Sequence, residues 1–84
     1  MSNFTLTDKT VIVTGGAGGL GRAMVAAYAA AGANVVVASR TAEKIEAEAA
    51  SLRERGYSAL AIPVDITDEE QVATLITKTV EAYG

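Results

Sequence analysis

Apolar positions along the chain switch between two periods. Residues 10–14, Thr-Val-Ile-Val-Thr, form an unbroken β-branched run, the pattern of a short strand covered on both faces. Residues 20–31 are strong helix formers, and Gly32 follows as a C-terminal stop. A second apolar run at 34–38 predicts a second strand. Thr41 is placed to cap a second helix, with Glu43 near its positive end and Ile45, Ala49 and Leu52 on one face; Gly56 ends it. Residues 58–64 predict a third strand in which Leu60, Ile62 and Val64 alternate. Pro63 has no amide proton to donate, which suits a strand end or a sheet edge. Thr67-Asp68-Glu69-Glu70 has the form of a capping box, and Val72, Leu75, Ile76 and Val80 carry the apolar stripe of a third helix.

The resulting order, β-α-β-α-β-α, predicts the α/β class: a parallel sheet with right-handed crossovers and strand order 3-2-1. Two helices should cover one face and the third should fold back across the other. The first strand is then left as an open edge, a template for self-association or for pairing with another strand. Residues 1–84 read as the N-terminal portion of a single doubly wound domain, lacking the second half.

Composition narrows the chemistry. The chain is 50% apolar and 20% charged, a globular balance. A formal charge of −3 argues against a broad nucleic-acid footprint. There is no cysteine and no histidine, so thiolate chemistry is excluded and any metal would fall to carboxylates alone. No metal site is expected, since Glu43, Glu46, Glu48 and Glu54 read as the polar side of the second helix. The apolar stretch at 23–38 is too short and too interrupted for a membrane span. With no basic segment and apolar run at the N-terminus, the expected compartment is the cytoplasm.

Five of the glycines crowd into residues 15–21, within Thr14-Gly15-Gly16-Ala17-Gly18-Gly19-Leu20-Gly21. This turn ends a predicted strand and opens a predicted helix. Glycine there permits positive φ and lets a pyrophosphate approach bare backbone, while the helix amides and dipole favour the anion. No Gly-Lys-Ser/Thr follows, which excludes a P-loop.

These residues resemble the N-terminal half of a classical short-chain dehydrogenase/reductase, and the similarity runs over essentially the whole chain. The family pattern Thr-Gly-x-x-x-Gly-x-Gly is matched by Thr14, Gly15, Gly19 and Gly21, with Leu6 and Lys9 as the usual lead-in. The extra glycines also satisfy Thr-Gly-x-x-Gly-x-x-Gly through Gly15, Gly18 and Gly21; the short spacing to the second helix and Asp65-Ile66-Thr67 match the classical form better. The resemblance implies a Rossmann-type sheet. It also implies that backbone around Gly15, Ala17, Gly18 and Leu20 lines the pyrophosphate and its ribose. It further implies that Asp65 contacts the adenine amino group and that Ile66 packs on the ring.

Cofactor choice is read at the end of the second strand. An acid about 20 residues past the glycine turn would hold the ribose diol and repel a 2′-phosphate. Here Ser39 and Arg40 stand in that place, with no acid before Glu43. A hydroxyl and a guanidinium fork suit a 2′-phosphate, so NADP is expected over NAD.

The family's catalytic Tyr-x-x-x-Lys pair is absent: none of Tyr28, Tyr57 and Tyr83 has a lysine four residues later. Its catalytic serine and its Asn-Asn-Ala-Gly segment are absent too. The expected function is therefore the cofactor-binding part of an NADP-dependent oxidoreductase moving a hydride between an alcohol and a carbonyl, with no catalytic residue within these 84 and no turnover from them alone. A non-catalytic dinucleotide-binding module and a structural half-domain fragment are the alternatives. A methyltransferase-type domain is weaker, because such domains favour an acid after the second strand.

Overall fold

The computed structural model describes residues 6–14 and 19–84. Among these residues, three strands and three helices alternate: β1 (Thr10–Thr14), α1 (Gly19–Ala30), β2 (Asn34–Ser39), α2 (Ala42–Glu54), β3 (Ala59–Pro63) and α3 (Glu69–Tyr83). The strands form one parallel sheet with β2 between β1 and β3. The 3-2-1 order expected from the pattern is the order found.

The central strand explains why an all-apolar run was needed. Val35, Val36, Val37 and Ala38 are each fully buried. Successive side chains of a strand point to opposite faces, so β2 feeds two cores at once. Val35 and Val37 join Val13, Val25, Ala29, Ile45, Ala49, Leu52 and Ala59 under α1 and α2. Val36 and Ala38 join Ile62, Val64 and Leu75 under α3. Two helices thus cover one face and the third covers the other. The shared face expected of Ile45, Ala49 and Leu52 is the one α2 buries.

α1 and α2 stop by the same device. Gly32 and Gly56 take φ values of 99° and 87°. The amide of Ala33 reaches back to Tyr28 and that of Gly32 to Ala29; Tyr57 and Gly56 repeat the pair on Leu52 and Arg53. These are Schellman motifs, in which a left-handed residue satisfies the last carbonyls.

Two cap expectations are corrected. The N-cap of α3 is Asp68, whose Oδ1 accepts from the amides of Glu70 (3.0 Å) and Gln71 (3.2 Å). Thr67 lies one residue earlier, and its hydroxyl is engaged on Asp65 instead. At α2, Thr41 holds the N-cap position but makes no side-chain cap bond; its own amide donates to Ser39 Oγ (3.1 Å). The third strand is a residue shorter at each end than expected, although the Val64 amide still donates to the Ser39 carbonyl at 2.9 Å. Pro63 sits on the edge strand opposite Ser39, where its missing donor leaves no gap inside the sheet.

β1 forms the other edge. Beside it, the α3 stripe is only partly used: Leu75 is buried, while Ile76 and Val80 remain 49% and 56% exposed.

Candidate functional site

All three strands run the same way, so their carboxyl ends open on one edge, where open α/β sheets bind ligands. A cleft of about 430 Å³ lies there, lined by Thr14 at the end of β1, Ala38, Ser39 and Arg40 at the end of β2, and Val64, Asp65, Ile66 and Thr67 beyond β3. Its volume falls inside the roughly 300–1,000 Å³ range of ligand pockets.

Ser39, Arg40, Asp65 and Ile66, chosen from the sequence on separate grounds, share this one cleft. Gly19, Leu20 and Gly21 lie in the first turn of α1, the helix that follows β1 in the chain. Gly15, Ala17 and Gly18 lie outside the described residues.

The polar groups have defined hydrogen-bond states. Ser39 Oγ accepts from the Thr41 amide, which leaves its own hydrogen for a ligand oxygen. Arg40 is exposed, and among the described residues its guanidinium enters neither of the ion pairs found, Arg22–Glu48 at 3.0 Å and Arg53–Glu46 at 3.5 Å. Arg22 is therefore taken up in tying α1 to α2.

Asp65 is the most constrained group. Its Oδ1 accepts from the Thr67 hydroxyl (2.6 Å) and the Thr67 amide (2.9 Å), an Asx-type turn. The Thr67 side-chain bond and then the Thr67 amide hold the carboxyl below its ordinary value of 3.8; desolvation opposes them, and the positive charge of Arg40 adds the weakest lowering effect. Asp65 is thus a carboxylate that accepts and cannot donate. Ile66 beside it is 60% exposed at the mouth of the cleft.

Sequence reasoning missed Thr67 and Thr14 as lining residues. The signal for Thr67 was present as Asp-x-Thr, since a carboxylate two residues before a threonine amide can close on it locally. The capping-box pattern concealed it.

A family model for short-chain dehydrogenases matches residues 9–84, and the chain belongs to that family. It is 48% identical over 79 residues to the short-chain dehydrogenase/reductase dpchG of Colletotrichum higginsianum, covering 94% of this chain and 30% of that protein. Among solved structures, a citronellol catabolism dehydrogenase of Pseudomonas aeruginosa superposes with a TM-score of 0.91 at 38% identity, covering 100% of this chain and 35% of that one. A hydroxysteroid dehydrogenase from Escherichia coli gives 0.93 at 30% identity, over 98% and 34%. The chain thus spans about a third of the length of these relatives. The family is one of oxidoreductases that bind a nicotinamide dinucleotide. Among the described residues, no helix is long and apolar enough to cross a membrane.

Proposed function

We propose that the cleft at the carboxyl ends of β1–β3 holds the adenosine end of NADP. In this reading, residues 1–84 are the cofactor-binding, N-terminal portion of a single dinucleotide-binding domain. The observation that carries it is the convergence of Ser39 and Arg40 with Asp65 and Ile66 around one cleft. The donor set fits the ligand. Ser39 has a hydroxyl hydrogen to give, Arg40 offers an exposed guanidinium fork, and no carboxylate stands at the end of β2 to repel a 2′-phosphate. Asp65 presents an acceptor to an amino group, and Ile66 an apolar surface to a ring. Backbone at Gly15, Ala17, Gly18, Gly19, Leu20 and Gly21 would hold the pyrophosphate.

When bound, the nicotinamide supplies a hydride acceptor or donor for an alcohol or carbonyl substrate; this chain's own part is binding and orientation. The pair that would handle the substrate proton is not among these 84 residues, since no Tyr-x-x-x-Lys occurs. The chain alone is therefore a binding unit without turnover.

Calorimetric titration with NADP+ and NAD+ tests the reading. The chain should bind NADP+ more tightly, and Arg40→Ala should weaken NADP+ by roughly tenfold or more, as expected for charge-assisted hydrogen bonds of about 1.5–3 kcal/mol, while NAD+ changes little. Equal affinity for the two cofactors before the mutation would sink the 2′-phosphate role. Ketone-dependent oxidation of NADPH by the 84-residue chain would refute the absence of turnover.

A further inference from the structure

The Asp65 carboxylate sits on a short connection between β3 and α3, where an aspartate would ordinarily turn freely, because the terminal torsion of its side chain is soft. Here Thr67 holds the carboxylate, and a closed ring of bonds through Gln71 and Asp68 holds the backbone that carries it. Thr67 places both its hydroxyl and its amide on Oδ1. The Asp65 amide donates to Gln71 Oε1 at 2.8 Å, and the other end of that side chain, Nε2, donates to Asp68 Oδ2 at 3.2 Å. Each partner demands the same orientation of the Gln71 amide: a donor faces its oxygen and a carboxylate faces its nitrogen. The Asp68 amide closes the ring on the Asp65 carbonyl at 3.0 Å. Gln71 belongs to the first turn of α3, so the ring pins the end of β3 to the start of the helix.

The consequence lies in the oxygen left over. Oδ1 carries two hydrogen bonds, while among the described residues Oδ2 carries none. Asp65 lines the cleft next to Ile66, so it brings to the site a carboxylate with one oxygen already taken and one still able to accept. A fixed acceptor attracts an exocyclic amino group and rejects a keto oxygen, because two acceptors without a proton between them leave both unpaired. We propose that Thr67 and Gln71 are positioning residues that hold Asp65 to read an amino-bearing purine, so that this site separates adenine from hypoxanthine dinucleotides. The inference rests on the assignment of the cleft to the adenosine end of NADP. It adds Gln71, which lies outside the cleft lining, and Thr67, which lines the cleft; both act on the base through Asp65.

The test compares NADP+ with its deaminated, hypoxanthine form on the full chain, by calorimetry. The wild type should prefer the adenine form by about tenfold, the worth of one hydrogen bond to a charged group. Thr67→Val should reduce that preference to about twofold or less, largely through weaker NADP+ binding, while Thr67→Ser, which keeps the hydroxyl, should restore it. Gln71→Leu, on an exposed helical position, should lower the preference in the same direction and provides a second route if Thr67→Val folds poorly. A merely structural role would weaken both ligands together and leave the ratio unchanged, which would overturn the inference. A wild type that binds both forms equally would overturn it too, whereas a wild type that binds neither would overturn the assignment of the cleft.

Discussion

Asp65 and Thr67 show how far a single side chain can be set by its neighbours two residues away. Because the folded-state carboxyl titrates below its ordinary 3.8, the charged form is favoured on folding. Its contribution to stability is therefore present above about pH 4 and is lost as pH falls through the lowered value. An NMR titration of the Asp65 carboxyl should give a midpoint under 3.8, moving upward in Thr67→Val; a wild-type midpoint above the ordinary value would contradict the bonding described. Gly32 makes a separate residue-scale prediction. Its φ is 99°, and a Cβ there would also press on Thr7 Oγ1 at 3.1 Å. Gly32→Ala should cost about 1–2 kcal/mol, a fall in Tm of roughly 4–8 °C for each kcal/mol in a domain this small. An unchanged Tm would mean that the Schellman turn relaxes at no expense.

At the scale of elements, the strands and helices were legible because each carries its own punctuation. The β-branched run of β2 and the glycines after α1 and α2 act within a few residues, so periodicity alone locates them. The caps were less legible. Thr41 and Thr67 both have the right residue type at or one position before a helix N-cap, yet neither side chain makes the cap bond. Ser39 takes the amide of Thr41, and Asp65 takes both donors of Thr67. Which of several neighbouring hydroxyls and carboxylates meets a given amide is decided by backbone geometry that a pattern of residue types does not contain. The assignment of the α3 cap is testable: Asp68→Ala removes the acceptor for two helix amides and should destabilise by about 1 kcal/mol. Denaturant unfolding would contradict the assignment if Asp68→Ala were neutral and Thr67→Ala carried the whole effect of lost capping.

Across the whole molecule, the candidate site was legible in outline, since Ser39, Arg40, Asp65 and Ile66 could each be placed after a strand. That they share one cleft follows from parallel strands ending at the same edge, a property of the sheet and not of any one segment. The opposite side of the sheet raises a different expectation. β1 is an edge strand, and the groove beside it, about 370 Å³ lined in part by Ile12, Ile76, Val80 and Tyr83, leaves apolar surface of the kind that drives association. The chain should self-associate in proportion to its concentration. Ile76→Lys with Val80→Glu should shift sedimentation toward the monomer without reducing cofactor affinity, because neither residue lines the cleft. A monomer at every concentration in the wild type would rule out association through this face.

The most direct measurement is an amide chemical-shift titration of the chain with NADP+. The cleft assignment predicts saturable shifts concentrated at Ser39, Arg40, Asp65, Ile66 and Thr67 and in the glycine turn at 15–21, with the outer face of α2 unmoved. Shifts absent at saturating cofactor, or gathered along α2 and the α3 stripe instead, would contradict it.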